Sequence, residues 1–129
     1  MASLDWSRRG VSGPANFMWW LDVEITNSWQ QWLAANRADL EGMVTYLQDH
    51  RVRTGIYSTP DQWRLILGRL PNGSRLRGLP VWLAGAKTFR DARQNCHQPA
   101  FDGGVVVFTQ WRAKAQRFDS DYPCLKQIP

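Results

Sequence analysis

The chain has 129 residues, a length typical of a single domain, and 43% of them are apolar, as in ordinary globular proteins. No stretch approaches the roughly 18 consecutive apolar residues that cross a bilayer, so we expect no membrane span. The net charge of +5 favours anionic partners, but no helix-turn-helix, zinc or RNA-binding motif accompanies it, so we expect no nucleic-acid partner.

The first predicted element is a strand over Phe17–Ile25, whose nearly continuous apolar run is typical of a strand covered on both faces. The preceding residues 1–14 are mostly polar, with Gly and Pro near their end, and they include no apolar segment typical of a signal peptide. We therefore expect a tail, or the remnant of an upstream element, over residues 1–14 and one domain over residues 15–129.

Three helices are predicted after this strand. Apolar residues at helical spacing predict the first within Ala38–Asp49, and Asn27 and Ser28 are residue types that cap a helix. Thr59-Pro60 is typical of a second helix start, and Thr88 marks a third. Their predicted inner faces are Leu40, Met43, Val44 and Leu47 in the first, Trp63, Ile66 and Leu67 in the second, and Phe89, Ala92 and Cys96 in the third.

Stretches rich in β-branched and aromatic residues predict further strands at Val52–Ser58, Pro80–Ala84, Val105–Trp111 and Phe118–Cys124. Strands that alternate with helices indicate parallel pairing in an α/β fold. Two architectures fit this order: an open three-layer sheet, or part of a (β/α) barrel. A complete barrel needs about 200–250 residues, so this chain would supply about four or five of its eight strands.

Two carboxylates stand close together near the end of the first strand. Asp22 and Glu24 are two residues apart, so the alternation of a strand puts both side chains on one face, about 7 Å apart at Cα. Like charges at this distance raise one pKa, which suits a general acid, and ligands bind at the carboxyl ends of parallel strands. The alternative is two exposed residues at the start of a loop, without a functional role.

The two cysteines, Cys96 and Cys124, permit one disulfide, and the alternative is two unrelated buried thiols. We favour the disulfide, and with it an extracytoplasmic location. His50 and His97 lack metal-ligand spacing with these cysteines, and no Gly-rich phosphate loop precedes a helix. We therefore expect neither a metal site nor a cofactor.

Five short motifs occur in order, each near a predicted strand end. They resemble the later strands of the lysozyme-like glycoside hydrolases of family 25, and in particular a secreted bacterial branch of that family. The resemblance covers roughly Phe17–Cys124, and five motifs in order are more specific than any one alone. The motifs are Trp20–Glu24 (WLDVE), Gly55–Ser58 (GIYS), Val81–Ala84 (VWLA), Thr109–Trp111 (TQW) and Asp119–Asp121 (DSD).

The resemblance implies a (β/α) barrel that cleaves the glycosidic bond after N-acetylmuramic acid in peptidoglycan. It implies that Glu24 is the general acid and that Asp22 orients the substrate's 2-acetamido group, which attacks the anomeric carbon. By the same resemblance, the substrate groove is lined by Tyr57, Trp82, Gln110 and Asp121. Asp121 corresponds to an acidic residue that the family carries on its last strand, and Asp119 is the second choice for that residue. For Tyr57 and Trp82 a role in the barrel core is an equal alternative, and Trp29, Trp32 and Trp63 are expected to pack.

The chain departs from the family pattern because the first strands of the barrel are absent. The predicted fold is therefore an incomplete parallel barrel of the TIM type, with its C-terminal four to five βα units and an open edge beside the first strand. The chain is then a fragment of a longer enzyme, which we favour, or a self-associating half-barrel, or a degenerate domain. The functions that follow are a muramidase-type hydrolase or a catalytically silent cell-wall or carbohydrate-binding domain, extracellular or cell-wall associated in either case.

Overall fold

A computed structural model describes residues 18–115 and 117–125 of the chain. The predicted tail over residues 1–14 lies outside this part. Strands and helices alternate along the described residues until the last two strands, which follow each other directly. The elements are β1 (Met18–Asp22), α1 (Leu33–Asp49), β2 (Arg53–Ser58), α2 (Pro60–Leu67), β3 (Val81–Ala86), α3 (Phe89–Asn95), β4 (Val106–Trp111) and β5 (Ser120–Pro123).

The strands form one sheet in the sequential order β1-β2-β3-β4-β5. The pairs from β1 to β4 are parallel, which confirms the predicted α/β fold. The last strand, β5, is antiparallel to β4, so the expectation of a wholly parallel sheet is wrong there. A parallel neighbour needs a crossover of about a dozen residues or more, and residues 112–119 are too few to provide it.

The helices and one face of the sheet enclose the main core. Buried residues of this core include Leu21 and Val23 from the first strand and its end, together with the apolar stripes of α1 and α2. The predicted inner face of α2 is confirmed, and in α1 Leu40, Val44 and Leu47 are buried while Met43 is 51% exposed. Trp63 packs in this core as expected, whereas Trp32 is exposed and does not.

The predicted starts of the two shorter helices are confirmed by their capping bonds. The Thr59 hydroxyl accepts a hydrogen bond from the Gln62 backbone N–H, and Thr88 accepts one from Asp91 in the same way. The predicted cap of α1 is wrong, because this helix begins at Leu33 without a side-chain cap. Asn27 lies too far before that start, and its amide instead donates to the Asp22 carbonyl at 2.8 Å.

The other face of the sheet bears a layer of aromatic rings. Strand register places Tyr57 beside Trp82, and Trp82 beside Phe108, all on the face that also bears Asp22. The rings of Trp20, Tyr57 and Phe108 each lie 5.2–5.9 Å from, and steeply inclined to, the Trp82 ring. These four side chains are only partly buried and Asp22 is exposed, so the expectation that the first strand is covered on both faces is wrong for the described residues.

Cys96 and Cys124 form a disulfide with a Cα–Cα distance of 5.4 Å. Cys96 directly follows α3 and Cys124 directly follows β5, so the bond ties the antiparallel strand to the helix layer. Within the described part of the chain, no helix is long and apolar enough to cross a membrane.

Candidate active site

Asp22 and Glu24 lie side by side, as the alternation of the strand predicts. Asp22 is the last residue of β1, and Glu24 lies two residues beyond it. Val23 between them is fully buried in the core, so the two acids project to the opposite side of the chain. The Asp22 carboxyl is close enough to Glu24 to raise its pKa.

The proton affinity of Glu24 is raised mainly by its neighbour Asp22. The pKa of Glu24 rises from its ordinary value of 4.5 to about 7, chiefly through the hydrogen bond with Asp22 and then through burial. The negative charges of Asp22 and Asp119 raise the pKa further. Near neutral pH about half of the Glu24 side chains hold a proton, which is the state that a general acid needs.

The four residues predicted to line the substrate groove form one hydrogen-bonded network. The Tyr57 hydroxyl donates to Gln110 Oε1, and Gln110 Nε2 donates to Asp121 Oδ1 at 3.2 Å. The Trp82 indole N–H donates to the same Asp121 oxygen at 3.0 Å. The network joins β2, β3, β4 and β5 beside the acid pair, and its polar groups hold one another in place.

Tyr57 links this network to the acids. Burial and the negative charges of Glu24, Asp119, Asp22 and Asp121 raise the pKa of Tyr57 to about 12. The phenol therefore keeps its proton at physiological pH and acts as a hydrogen-bond donor.

A cavity of about 290 Å³ opens where the parallel strands end. Three of the predicted residues, Glu24, Tyr57 and Gln110, line it; Asp22, Trp82 and Asp121 do not, although each contacts a residue that does. Asp119 is the acid of the last motif that lines this cavity, whereas Asp121 belongs to the network next to it. The acid ranked second from the sequence is therefore the one that lines the cavity together with Glu24.

Gly85 forms part of the cavity wall at the end of β3. Its φ of +103° lies in a region that side chains rarely adopt, and a Cβ there would lie 3.2 Å from Thr59 Cγ2. A larger residue would strain the backbone and crowd the cavity, so this position favours glycine.

Gln62 and Arg112 also line the cavity, although the sequence reasoning did not single them out. A signal for Gln62 exists, because Thr59-Pro60-Asp61-Gln62 has the spacing of a capping box. Arg112 lies on a short connection whose conformation no motif predicts, and its guanidinium donates to the Arg117 carbonyl at 3.1 Å. Among the described residues, no group of three or more His, Cys, Asp or Glu side chains is arranged to hold a metal ion.

Two of three comparisons with known proteins found a match. A family model described as "Lysozyme-like protein 1" matches residues 15–117. A curated relative, "Probable GH family 25 lysozyme 4" from Dictyostelium discoideum, is 36% identical over 81 residues, which cover 60% of this chain and 36% of the relative. No solved structure matches.

The match to the family model extends over most of the chain and includes four of the five motifs in full. The chain spans little more than a third of the length of the curated relative. The sequence motifs, the α/β sheet and the family match agree, and the chain belongs to the lysozyme-like family that this model describes.

Proposed function

We propose that the protein is a lysozyme-like glycoside hydrolase of the muramidase type that acts on peptidoglycan, with Glu24 as the general acid. The observation that supports this most directly is the position of Asp22 and Glu24 side by side at the end of β1, where Glu24 lines the cavity and its neighbour raises its pKa to about 7. The name of the curated relative, a probable lysozyme, points to the same class of reaction.

The proposed mechanism is substrate-assisted. Glu24 protonates the leaving glycosidic oxygen while the 2-acetamido oxygen of the substrate attacks the anomeric carbon, and Asp22 orients and stabilises that acetamido group. Water then opens the cyclic intermediate, and the Glu24 carboxylate removes a proton from that water. Asp22 and Glu24 lie side by side at the end of one strand, whereas the two-carboxylate schemes place their acids on either side of the scissile bond, which favours the substrate-assisted route.

The other groups are proposed to bind the sugar. Tyr57 and Gln110 offer polar atoms in the cavity wall, and Trp82 offers an aromatic face beside them. Asp121 keeps Trp82 and Gln110 in position, and Asp119 adds a second carboxylate opposite Glu24.

We also propose that the sheet is part of a (β/α) barrel. Four parallel strands in sequential order, with helices on one face and aromatic side chains on the other, fit a segment of such a barrel. The chain spans little more than a third of the relative's length, which supports its being part of a longer enzyme. The disulfide and the polysaccharide substrate support an extracellular or cell-wall location.

A second candidate function is a silent domain that binds cell-wall carbohydrate without cleaving it. The aromatic rings of Trp20, Trp82 and Phe108 favour it, because partly exposed rings offer stacking surfaces for sugars.

Turbidity clearing of bacterial cell walls tests the proposal, with the full chain compared with Glu24→Gln. The substitution keeps the side-chain shape and removes the transferable proton, so we expect clearing to fall by about a hundredfold or more. Asp49→Asn, at an exposed carboxylate at the end of α1, is the matched control and should clear normally. Equal clearing by the wild type and Glu24→Gln would reject the enzymatic proposal, and wall binding without clearing by either would establish the silent domain.

A further inference from the structure

We propose that Trp29 is a positioning residue for Glu24, and that with Gln62 it holds the peptide group that follows the acid. We call these two side chains the peptide clamp. The inference rests on the proposed function, because it takes Glu24 to be the general acid.

The peptide clamp lies beyond the end of β1, where pairing with the sheet ends. The strand β1 ends at Asp22, and the Val23 N–H donates to the Tyr57 carbonyl at 2.9 Å. The Val23 carbonyl already depends on a side chain, accepting from the Ser58 hydroxyl at 2.6 Å. The Glu24 carbonyl accepts from the Asn27 N–H of a turn at 3.1 Å, so the backbone that follows Glu24 is held by groups outside the sheet, and the clamp adds to this turn.

Trp29 and Gln62 bind opposite ends of one peptide group. The Trp29 indole N–H donates to the Glu24 carbonyl oxygen at 2.7 Å. The Ile25 N–H, which belongs to the same peptide group, donates to Gln62 Oε1 at 2.8 Å. A peptide group is planar, so holding both ends fixes its orientation and with it the backbone direction at Glu24.

The Trp29 side of the clamp is anchored in the core. The Trp29 ring is half-buried and packs against the main hydrophobic cluster. The next residue, Gln30, is held through both backbone groups by the amide of Asn36, at 2.8 Å and 2.9 Å. Asn36 is 1% exposed and makes a third bond, to the Ile66 carbonyl in α2, so the loop is fastened to two helices.

The Gln62 side is anchored at the start of α2. Gln62 Nε2 donates to the Thr59 hydroxyl oxygen at 3.2 Å, and this bond turns Gln62 Oε1 towards Ile25. Thr59 also caps the helix, so the amide of Gln62 is oriented by the same residue that fixes the helix start.

The clamp matters because the acid pair depends on close approach. The Asp22 side chain can raise the pKa of Glu24 only while the Glu24 backbone directs its side chain towards this neighbour. A displacement of about 1 Å in a reacting group can reduce a rate by about a hundredfold. Trp29 acts on the reaction through the position of Glu24 and does not itself line the cavity.

The test is Trp29→Phe, which keeps an aromatic ring against the core and removes the indole N–H. We expect kcat for wall hydrolysis to fall by about tenfold, with KM changed by less than about threefold, because the group that is misplaced acts in the transition state. The alkaline limb of the pH–rate profile and the Glu24 pKa, measured by carbon NMR of the carboxyl, should both move to lower pH by at least about half a unit.

Trp63→Phe is the matched control, because Trp63 lies in the core and its ring contacts Phe101 rather than the acid segment. It should lower the melting temperature without moving the Glu24 pKa or the pH profile. Gln62→Met removes the other side of the clamp and should move the Glu24 pKa in the same direction as Trp29→Phe, which keeps the proposal testable if the tryptophan variant does not fold.

An unchanged Glu24 pKa in the folded clamp variants would overturn the inference, even if the wild type clears cell walls. Full activity in Glu24→Gln would instead reject the proposed function. The NMR measurement does not depend on turnover, so the two failures are distinguishable.

Discussion

Two carboxyl groups can share a hydrogen bond only while one of them holds a proton, which is why a hydrogen bond with Asp22 raises the pKa of Glu24. The neighbour that favours the protonated form of Glu24 is also the residue proposed to stabilise the substrate's acetamido group. The last residue of β1 and the second residue after it therefore supply both groups, and Asp22 raises the pKa of Glu24.

Asp22→Asn is expected to lower the Glu24 pKa from about 7 towards its ordinary value, because it removes a negative charge and lets the new amide donate to ionised Glu24. The alkaline limb of activity should move to lower pH with it. Carbon NMR of the carboxyl and the pH–rate profile measure both effects. Asp119→Asn is the control, since Asp119 acts only through its charge, and a shift as large as that of Asp22→Asn would contradict this account.

Asp102 is a buried carboxyl outside the candidate site. Its Oδ1 accepts from the Gly104 N–H at 2.8 Å, and Oδ2 has no partner among the described residues. Burial raises the pKa of Asp102 from 3.8 to about 6, against the opposing effect of its backbone hydrogen bonds. The charged form is therefore disfavoured in the folded protein.

The sign of the pH effect follows from this raised pKa. The contribution of Asp102 to the free energy of unfolding is fully present below about pH 4 and is lost as the pH rises through about 6. The loss amounts to at most about 3 kcal/mol. Asp102→Asn should be as stable as the wild type near pH 4 and more stable at pH 7. Urea unfolding across this range measures the difference, and a parallel pH dependence of both proteins would refute the assignment.

The secondary structure elements were more predictable from the sequence than the contacts of the site. The strands β2, β3 and β4 each begin one residue after the predicted start, because β-branched runs between turn residues mark them clearly. The long helix begins earlier than predicted, at Leu33, because no capping side chain marks its start.

The site was predictable where it depends on strand alternation and unpredictable where it depends on loops. The position of Asp22 and Glu24 on one side of the chain follows from the two-residue period of a strand. The antiparallel orientation of β5 follows from the short connection before it, but the choice between Asp119 and Asp121 depends on the path of that connection, which has no sequence signal. Trp29 reaches Glu24 through a loop conformation that Asn36 fixes, and such a contact between a loop and a helix is not visible in periodicity.

Among the contacts that join secondary structure elements, the disulfide has the clearest effect on stability. Cys96 and Cys124 are separated by 28 residues, and closing a loop of this length stabilises a protein by about 3–4 kcal/mol in the chain-entropy model. We expect the double variant Cys96→Ser/Cys124→Ser to lose about that much in urea unfolding. Reductant should destabilise the wild type to a similar extent and leave the variant unchanged, and an effect of reductant on the variant would point to another cause.

At the scale of the whole molecule, the sheet has a covered and an uncovered side. Helices pack against Leu21 and Ile56 on one side, while the rings of Trp20, Trp82 and Phe108 remain partly exposed on the other. Apolar surface of this kind is typically covered in a working protein. The remaining strands of the proposed barrel would supply that cover.

We therefore expect the chain on its own to self-associate through the aromatic face. Sedimentation at increasing concentration should show a rising mass, and Trp20→Arg should suppress it by placing a charge on that face. Trp32→Arg, at a residue that is 73% exposed and outside the aromatic layer, should leave the association unchanged. A constant monomer mass in the wild type would refute self-association by this route.

The reversal of the last strand has a consequence for how the site can change. Glu24 reaches the cavity from beyond the end of a strand, whereas Asp119 reaches it from just before the start of one. Insertions or deletions in residues 112–119 would thus move Asp119 relative to the cavity and leave Asp22 and Glu24 in place. The fold thus fixes the positions of Asp22 and Glu24 but lets the position of Asp119 vary. Related chains can therefore alter the acidity of the cleft by changing the length of a single surface loop.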